Sequence, residues 1–130
     1  MSQRADESGG NDRIQHRARK FALQVLRLIR GLPRDEGLRV VARQLARCGT
    51  SIGANAEEGI GALTRSEFAY HMNVAKREAR ETRYWLRLLA EDGHANRVAP
   101  LLAEVEELLK ILTSIVKTTQ SGPRETNDQT

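Results

Sequence analysis

Apolar residues recur along this chain with the spacing of an α-helix. Steps of three and four residues place each set on one helical face. Four such stripes follow one another: Ile14, Ala18, Phe21, Val25, Leu28, Leu32; Leu38, Val41, Leu45, Cys48, Ile52, Ala56; Phe68, Met72, Ala75, Ala79, Thr82, Leu86, Leu89; and Val98, Leu101, Val105, Leu108, Leu112, Ile115. The pattern predicts four helices, and no strand competes with them.

Local signals set the boundaries of the first two helices. The first should end within residues 31–33, because Pro33 restricts the residue before it and fits badly inside a helix. Asp35 suits the N-cap of the second helix. That helix should end within residues 59–61, where a glycine can take a left-handed C-cap.

The third helix has the clearest start, because Thr64 and Glu67 form a Thr-x-x-Glu capping box before an apolar run. It should end before Gly93, and Pro100 should fall in the first turn of the fourth helix, where its missing N–H has no helical partner. Short connections favour antiparallel neighbours. The predicted fold is an all-α, antiparallel up-down four-helix bundle over residues 13–119.

The two ends of the chain have a different composition. Residues 1–12 and 120–130 are polar and are expected to form disordered tails, because they bury too little to offset their ordering entropy. No secretory signal or membrane-spanning run is present, and Cys48 is the only cysteine. A cytoplasmic protein with no membrane partner and no disulfide within the chain is expected.

Charge is distributed unevenly. The net charge is +4, but residues 13–47 hold ten Arg or Lys against Asp35 and Glu36, giving +8, so the rest sums to −4. Two helical stripes of basic residues suit phosphate backbones and are candidate nucleic-acid contacts: Arg13, Arg17, Lys20 and Arg27, then Arg39, Arg43 and Arg47. The alternative is a solvated face, since 17 Arg against 4 Lys can simply reflect genomic base composition.

The middle of the second helix contains residues that disfavour helix interiors, among them Gly49, Ser51, Gly53 and Asn55. One interpretation is that small side chains allow a neighbouring helix to approach closely while the polar groups find buried partners. The other is a polar catalytic or metal site. Its members would be Asn55, Glu57, Glu58, Glu78 and Glu81.

Metal and phosphate motifs are incomplete. The Glu-x-x-His pairs of bundle di-metal sites are absent, because His71 follows Glu67 by four residues, while His16 and His94 lack ligand partners at useful spacing. Residues 59–61 lack the strand before and the Gly-Lys-Ser/Thr after that a phosphate loop needs. No catalytic residue, cofactor or metal is predicted.

The third helix carries a second, partly apolar stripe. Tyr70, Val74, Tyr84 and Leu88 lie away from its core face and are interrupted by Arg77. A helix that is apolar on two sides needs two partners. These four residues are therefore candidates for an oligomer interface.

Three segments resemble a known family: TSIGANAEEG at residues 50–59, SEF at 66–68 and EARETRYWL at 78–86. The chain is similar, over residues 13–118, to the S23-like four-helix bundle proteins first noticed in intervening sequences of bacterial 23S ribosomal RNA genes. The resemblance implies a homopentamer. It also implies a distant kinship with accessory proteins of diversity-generating retroelements, pentameric bundles that bind a reverse transcriptase and nucleic acid.

The resemblance implies no catalytic residues for this chain. It identifies Ser51, Asn55, Glu58 and Glu81 as a structural polar signature. The leading hypothesis is a non-enzymatic homo-oligomer, pentameric by resemblance, that contacts RNA or a ribonucleoprotein through its first two helices. The alternatives are a protein-interaction scaffold with no nucleic-acid role and an enzyme with a polar site around Asn55, Glu58 and Glu81.

Overall fold

The computed structural model describes residues 10–121, and side chains are described for residues 14–120. Four helical rods follow one another: α1, Gly10–Arg30; α2, Glu36–Ile60; α3, Arg65–Leu89; and α4, Ala95–Ser121. No strand occurs within these residues. The predicted all-α helical bundle is confirmed. The expected tails at residues 1–9 and 122–130 lie outside the described residues. Residues 10–12 belong to α1 and residues 120–121 to α4, so their assignment to the tails is wrong.

Side chains cap α2 and α3 where the sequence predicted. Asp35 accepts a hydrogen bond from the Leu38 N–H at 3.0 Å, and Thr64 accepts one from the Glu67 N–H at 3.0 Å. The Glu67 carboxylate accepts in return from Leu63, at 3.3 Å, rather than from Thr64 itself. Each cap satisfies an amide that has no partner inside its helix.

Two details of the helix ends differ from the predictions. Gly61 caps α2 with φ −85° and ψ 1°, so the left-handed cap expected in residues 59–61 is wrong. The Gly61 N–H donates to the Glu57 carbonyl although the glycine has a negative φ. Pro100 lies inside α4, in the second turn from Ala95 rather than the first. It is exposed, so water can reach the carbonyl that its missing N–H leaves unpaired.

Backbone hydrogen bonding continues from α3 into α4 through the π-type turn Ala90–His94. The two rods can thus be counted as one long helix with a bend. Asp92 and Gly93 leave helical geometry at the bend, and Gly93 takes φ +98°, a conformation that glycine adopts without strain. The bend folds α4 back against α3.

Packing closes the bundle, because each helix contacts the next and α4 contacts α1. The core consists of the predicted stripes. Completely buried members include Phe21, Leu45, Ile52, Leu86 and Leu108, while Leu32, Val41, Phe68 and Ile115 pack at its edge. The helical spacing of apolar residues therefore identified the core correctly.

Helices α1 and α2 approach closely through glycines of α2. A Cβ added at Gly49 would lie 3.0 Å from a Val25 methyl, and one at Gly53 would lie 3.4 Å from the backbone of Ala18. The small residues in the middle of α2 thus serve close packing, as the first interpretation predicted. At Gly49, where a Cβ would be too close to Val25, the fit between the two helices offsets the cost of glycine in a helix.

Candidate nucleic-acid interface

Arg47 joins α2 to α3. Its guanidinium contacts Glu81 Oε2 at 2.5 Å, and Trp85 donates its indole N–H to the same carboxylate at 3.0 Å. The hydrogen bond from Trp85, together with Arg47, lowers the pKa of the Glu81 carboxyl, and Glu81 raises the pKa of Arg47. Arg47 also lies 3.5 Å from Glu78 Oε1, a buried oxygen with no hydrogen bond. The geometry assigns Arg47 to an interhelical ion-pair cluster, which leaves less of its charge for a ligand.

Asn55 forms a second polar link between α2 and α3. Its amide donates to the Ser51 carbonyl at 3.0 Å, and its oxygen lies 3.5 Å from His71 Nδ1. Glu58 is exposed. Of the four signature residues, Asn55 and Glu81 contact the neighbouring helix, which is the behaviour of structural groups.

The carboxylates of the alternative catalytic site do not converge. Glu57 accepts a hydrogen bond from Gln15 of α1, whereas Glu78 and Glu81 meet Arg47 on the α3 side of α2. Cys48 is buried between these helices, and its burial raises the pKa of the thiol. The cluster can hold helices together but presents no paired acid and base to one cavity.

Arg17, in the basic stripe of α1, is paired with α4. It forms a two-pronged contact with Glu104, at 2.9 and 2.8 Å, and this hydrogen bonding raises the pKa of the guanidinium. Lys20 and Arg27 are exposed on the same helix. The side chain of Arg13 lies outside the described residues. Lys20 and Arg27 are therefore the described members of this stripe that are turned to solvent.

Arg39 and Arg43 are the exposed basic residues of the α2 stripe. Arg39 lies 3.8 Å from Glu36, a contact between two exposed side chains that contributes little. Arg17 faces α4 whereas Arg47 faces α3, so the stripes of α1 and α2 follow opposite flanks of that helix pair. They do not form one continuous surface along the bundle.

The turn between α1 and α2 adds basic residues that helical spacing does not identify. A cavity of about 290 Å³ at this end of the bundle is lined by Arg30, Arg34 and Arg39, with Asp35 as its acidic member. Helical spacing could not assign Arg34, because it lies in the connection. Arg34 was counted only in the net charge of residues 13–47, which therefore was the one sequence signal for it.

The second stripe of α3 is largely exposed. Tyr70, Tyr84 and Leu88 are 64%, 57% and 37% exposed, and Val74 is half-buried. Val40 of α2, which is not among the predicted interface residues, is 57% exposed. Apolar side chains that are this exposed are candidates for a protein–protein interface.

No group of three or more His, Cys, Asp or Glu side chains in residues 14–120 lies close enough together to hold a metal ion. None of the described helices is long and apolar enough to cross a membrane.

Residues 11–114 match the family model of the 23S rRNA-intervening sequence proteins. The chain belongs to this family. A crystal structure of a protein of unknown function from the S23 ribosomal protein family of Bacteroides thetaiotaomicron is similar, with a TM-score of 0.78 and 32% identity, covering 85% of this chain and all of that one. No curated protein matches the chain. Membership of the 23S rRNA-intervening sequence protein family confirms the resemblance carried by residues 50–59, 66–68 and 78–86.

Proposed function

We propose that this member of the 23S rRNA-intervening sequence protein family is a non-enzymatic homo-oligomer, a pentamer, that contacts RNA or an RNA-bound protein in the cytoplasm. A reverse transcriptase is one such partner class. The contact uses exposed basic residues of α1, α2 and the turn between them. The single observation that supports the contact with RNA is the charge of residues 13–47, which contain ten basic and two acidic residues.

Five of the exposed basic residues lie at or near one end of the bundle. Arg27, Arg30, Arg34 and Arg39 follow the end of α1, the turn and the start of α2, and Arg43 continues along α2. Arginine forms paired hydrogen bonds with phosphate, so this region suits a phosphate backbone. Arg17 and Arg47 are secondary, because each already has an acidic partner.

Neutralising Arg27, Arg39 and Arg43 together by Gln is expected to weaken RNA binding and its salt dependence. Removing one phosphate contact lowers the slope of log affinity against log salt by about 0.7 for a single strand, so the slope should fall by about 2. Fluorescence anisotropy of a labelled single-stranded RNA, from about 50 to about 200 mM salt, measures it.

A matched control removes the same net charge elsewhere. Ala54→Glu, Leu63→Glu and Ser66→Glu change exposed positions near the α2–α3 connection, at the opposite end of α2 from the α1–α2 turn. This control should keep most of the slope. An equal loss in both variants would show that only net charge matters, and an unchanged slope in the arginine variant would place RNA elsewhere.

A protein-interaction scaffold is the second candidate, and the exposed stripe of α3 favours it. Under the first proposal this stripe is the interface between copies of the chain; under the second it holds another protein. Tyr70, Tyr84 and Leu88 are exposed in the single chain. Interfaces are enriched in Tyr, so two exposed tyrosines on one stripe of a helix favour a contact with another protein chain.

Replacing Tyr84 and Leu88 by Gln is expected to shift the purified protein from an oligomer to a smaller species. Five copies of a 14.6 kDa chain give about 73 kDa, which light scattering distinguishes from a monomer. Leu23→Gln, at a residue of α1 that is 47% exposed, is the control. If the variant keeps its mass, the interface lies elsewhere; a wild-type monomer would contradict the pentamer and leave the stripe to the scaffold function.

A further inference from the structure

An open groove of about 550 Å³ lies between α3 and α4, away from the basic residues of α1 and α2. Four basic side chains and two hydroxyls line it, with one carboxylate. They are Arg80 and Arg83 of α3 and Glu106, Lys110, Thr113, Ser114 and Lys117 of α4. The lining carries four positive charges and one negative, a local excess of +3.

The single carboxylate is already neutralised. Glu106 Oε1 lies 3.2 Å from Arg83 Nη1, and Glu106 Oε2 lies 3.2 Å from Arg87 Nη2. One acid is thus shared by two guanidinium groups. The Lys110 ammonium contacts Glu107 at 3.3 Å, but both side chains are largely exposed, so this pair yields easily to a competing anion. The groove is therefore electropositive as a whole.

The basic residues form a row because of helix geometry. Arg80, Arg83 and Arg87 are spaced by three and four residues on α3, and Lys110 and Lys117 lie seven residues apart on α4. Such spacing keeps side chains on one helical face. Between Glu106 and Lys117 the helix rises by about 16 Å, at 1.5 Å per residue. The charge extends along the groove rather than around one point.

We propose that this groove binds the phosphate backbone of a single nucleic-acid strand. Guanidinium, ammonium and hydroxyl groups are the side-chain donors that contact phosphate oxygens. These donors follow one line between two packed helices, an arrangement that suits the phosphates of one strand. Leu109 is the one apolar lining residue and is almost completely buried, so a protein or lipid tail would find little apolar surface to cover.

The decisive variant combines Arg80→Gln, Lys110→Gln and Lys117→Gln. It leaves the Glu106 contacts with Arg83 and Arg87 in place, so the link between α3 and α4 is kept. Affinity for a fluorescein-labelled uridine oligonucleotide at about 50 mM salt should fall by at least about tenfold, and the salt slope by about 2. The Ala54→Glu, Leu63→Glu, Ser66→Glu variant, whose positions lie outside the groove lining, is again the charge-matched control and should retain the slope.

Competition and vesicle measurements identify the source of the phosphate. Retained binding in the presence of inorganic phosphate at constant ionic strength supports a strand that makes several contacts; displacement at millimolar phosphate would reveal a small-anion site and overturn the proposal. Binding of the wild type to phosphatidylserine vesicles that disappears in the groove variant would also overturn it, in favour of a membrane surface.

The groove and the α1–α2 residues are tested independently. A reduced slope in the groove variant alone supports the groove and contradicts the contact proposed for Arg27, Arg39 and Arg43. A reduced slope in the α1–α2 variant alone overturns the groove proposal. If each variant reduces the slope in part and their combination reduces it by the sum, both surfaces bind the strand, since independent contacts add.

Discussion

Replacing Phe21 by Ala is expected to lower the free energy of unfolding by about 3–5 kcal/mol. Phe21 is completely buried in α1, and it is the largest of the fully buried side chains. Removing the ring loses its transfer free energy and leaves a cavity that the neighbouring helices fill only in part. Domains of this size are stable by about 5–15 kcal/mol, so much of the stability would disappear.

Urea unfolding of the wild type and the variant, followed by far-ultraviolet circular dichroism, measures this change. Leu23→Ala is the control: it removes an apolar side chain from the same helix at a position that is 47% exposed, and should change the free energy by no more than about 0.5 kcal/mol. Both are compared at one protein concentration, because association contributes to apparent stability. Equal losses in the two variants would contradict the assignment of Phe21 to the core.

The fold was predictable because one physical pattern repeats in every helix. Residues such as Phe21, Ile52, Leu86 and Leu108 fall on stripes of helical period, and burial of those stripes requires helices packed on helices. The caps at Asp35 and Thr64 were predictable for a local reason, since each bonds an amide three residues ahead. Interactions that depend on neighbouring residues can be inferred from the sequence alone.

The errors arose where geometry depends on more than local spacing. A glycine at a helix end favours a left-handed cap, yet Gly61 has φ −85° while its N–H still bonds the Glu57 carbonyl. Pro100 was placed in the first turn of α4, but the bend at Gly93 lets the helix begin at Ala95. The sequence indicated that α2 ends near Gly61 and that α4 begins near Pro100. It did not indicate which backbone conformation forms each of these helix ends.

The surface charges were the least predictable part of the candidate site. Arg17 pairs with Glu104, 87 residues away, and Arg47 with Glu81, 34 residues away. Helical spacing selects residues on one face but does not reveal which acids the neighbouring helix will bring. Two of the six candidate basic residues whose side chains are described therefore have interhelical partners, while exposed arginines of the α1–α2 turn were missed.

The basic groove between α3 and α4 could not be predicted from the net charge of a sequence segment. Outside residues 13–47 the net charge is −4, so the regional sum does not reveal a basic surface there. Folding places Arg80 and Arg83 of α3 beside Lys110 and Lys117 of α4, while the acids of that half are distributed to other faces or paired within the groove. Local charge depends on which helices are neighbours, and this information comes from the fold.

Close packing of α1 on α2 gives the second large expected effect. Replacing Gly53 by Leu should lower the free energy of unfolding by about 3 kcal/mol, the upper part of the range for overpacked sites. A Cβ at Gly53 would already lie 3.4 Å from the backbone carbonyl carbon of Ala18, and the rest of the leucine has to displace α1. Backbone atoms cannot move aside as a flexible side chain does.

Two controls separate overpacking from helix propensity. Gly53→Ala adds only the tolerated Cβ and should raise the free energy of unfolding by up to about 1 kcal/mol, because alanine favours the helix. Ala54→Leu puts the same leucine on the neighbouring exposed position and should be close to neutral. Thermal unfolding of the three variants gives the order Gly53→Ala, Ala54→Leu, Gly53→Leu from most to least stable. A Gly53→Leu protein as stable as Ala54→Leu would mean that α1 and α2 lie further apart than the structure places them.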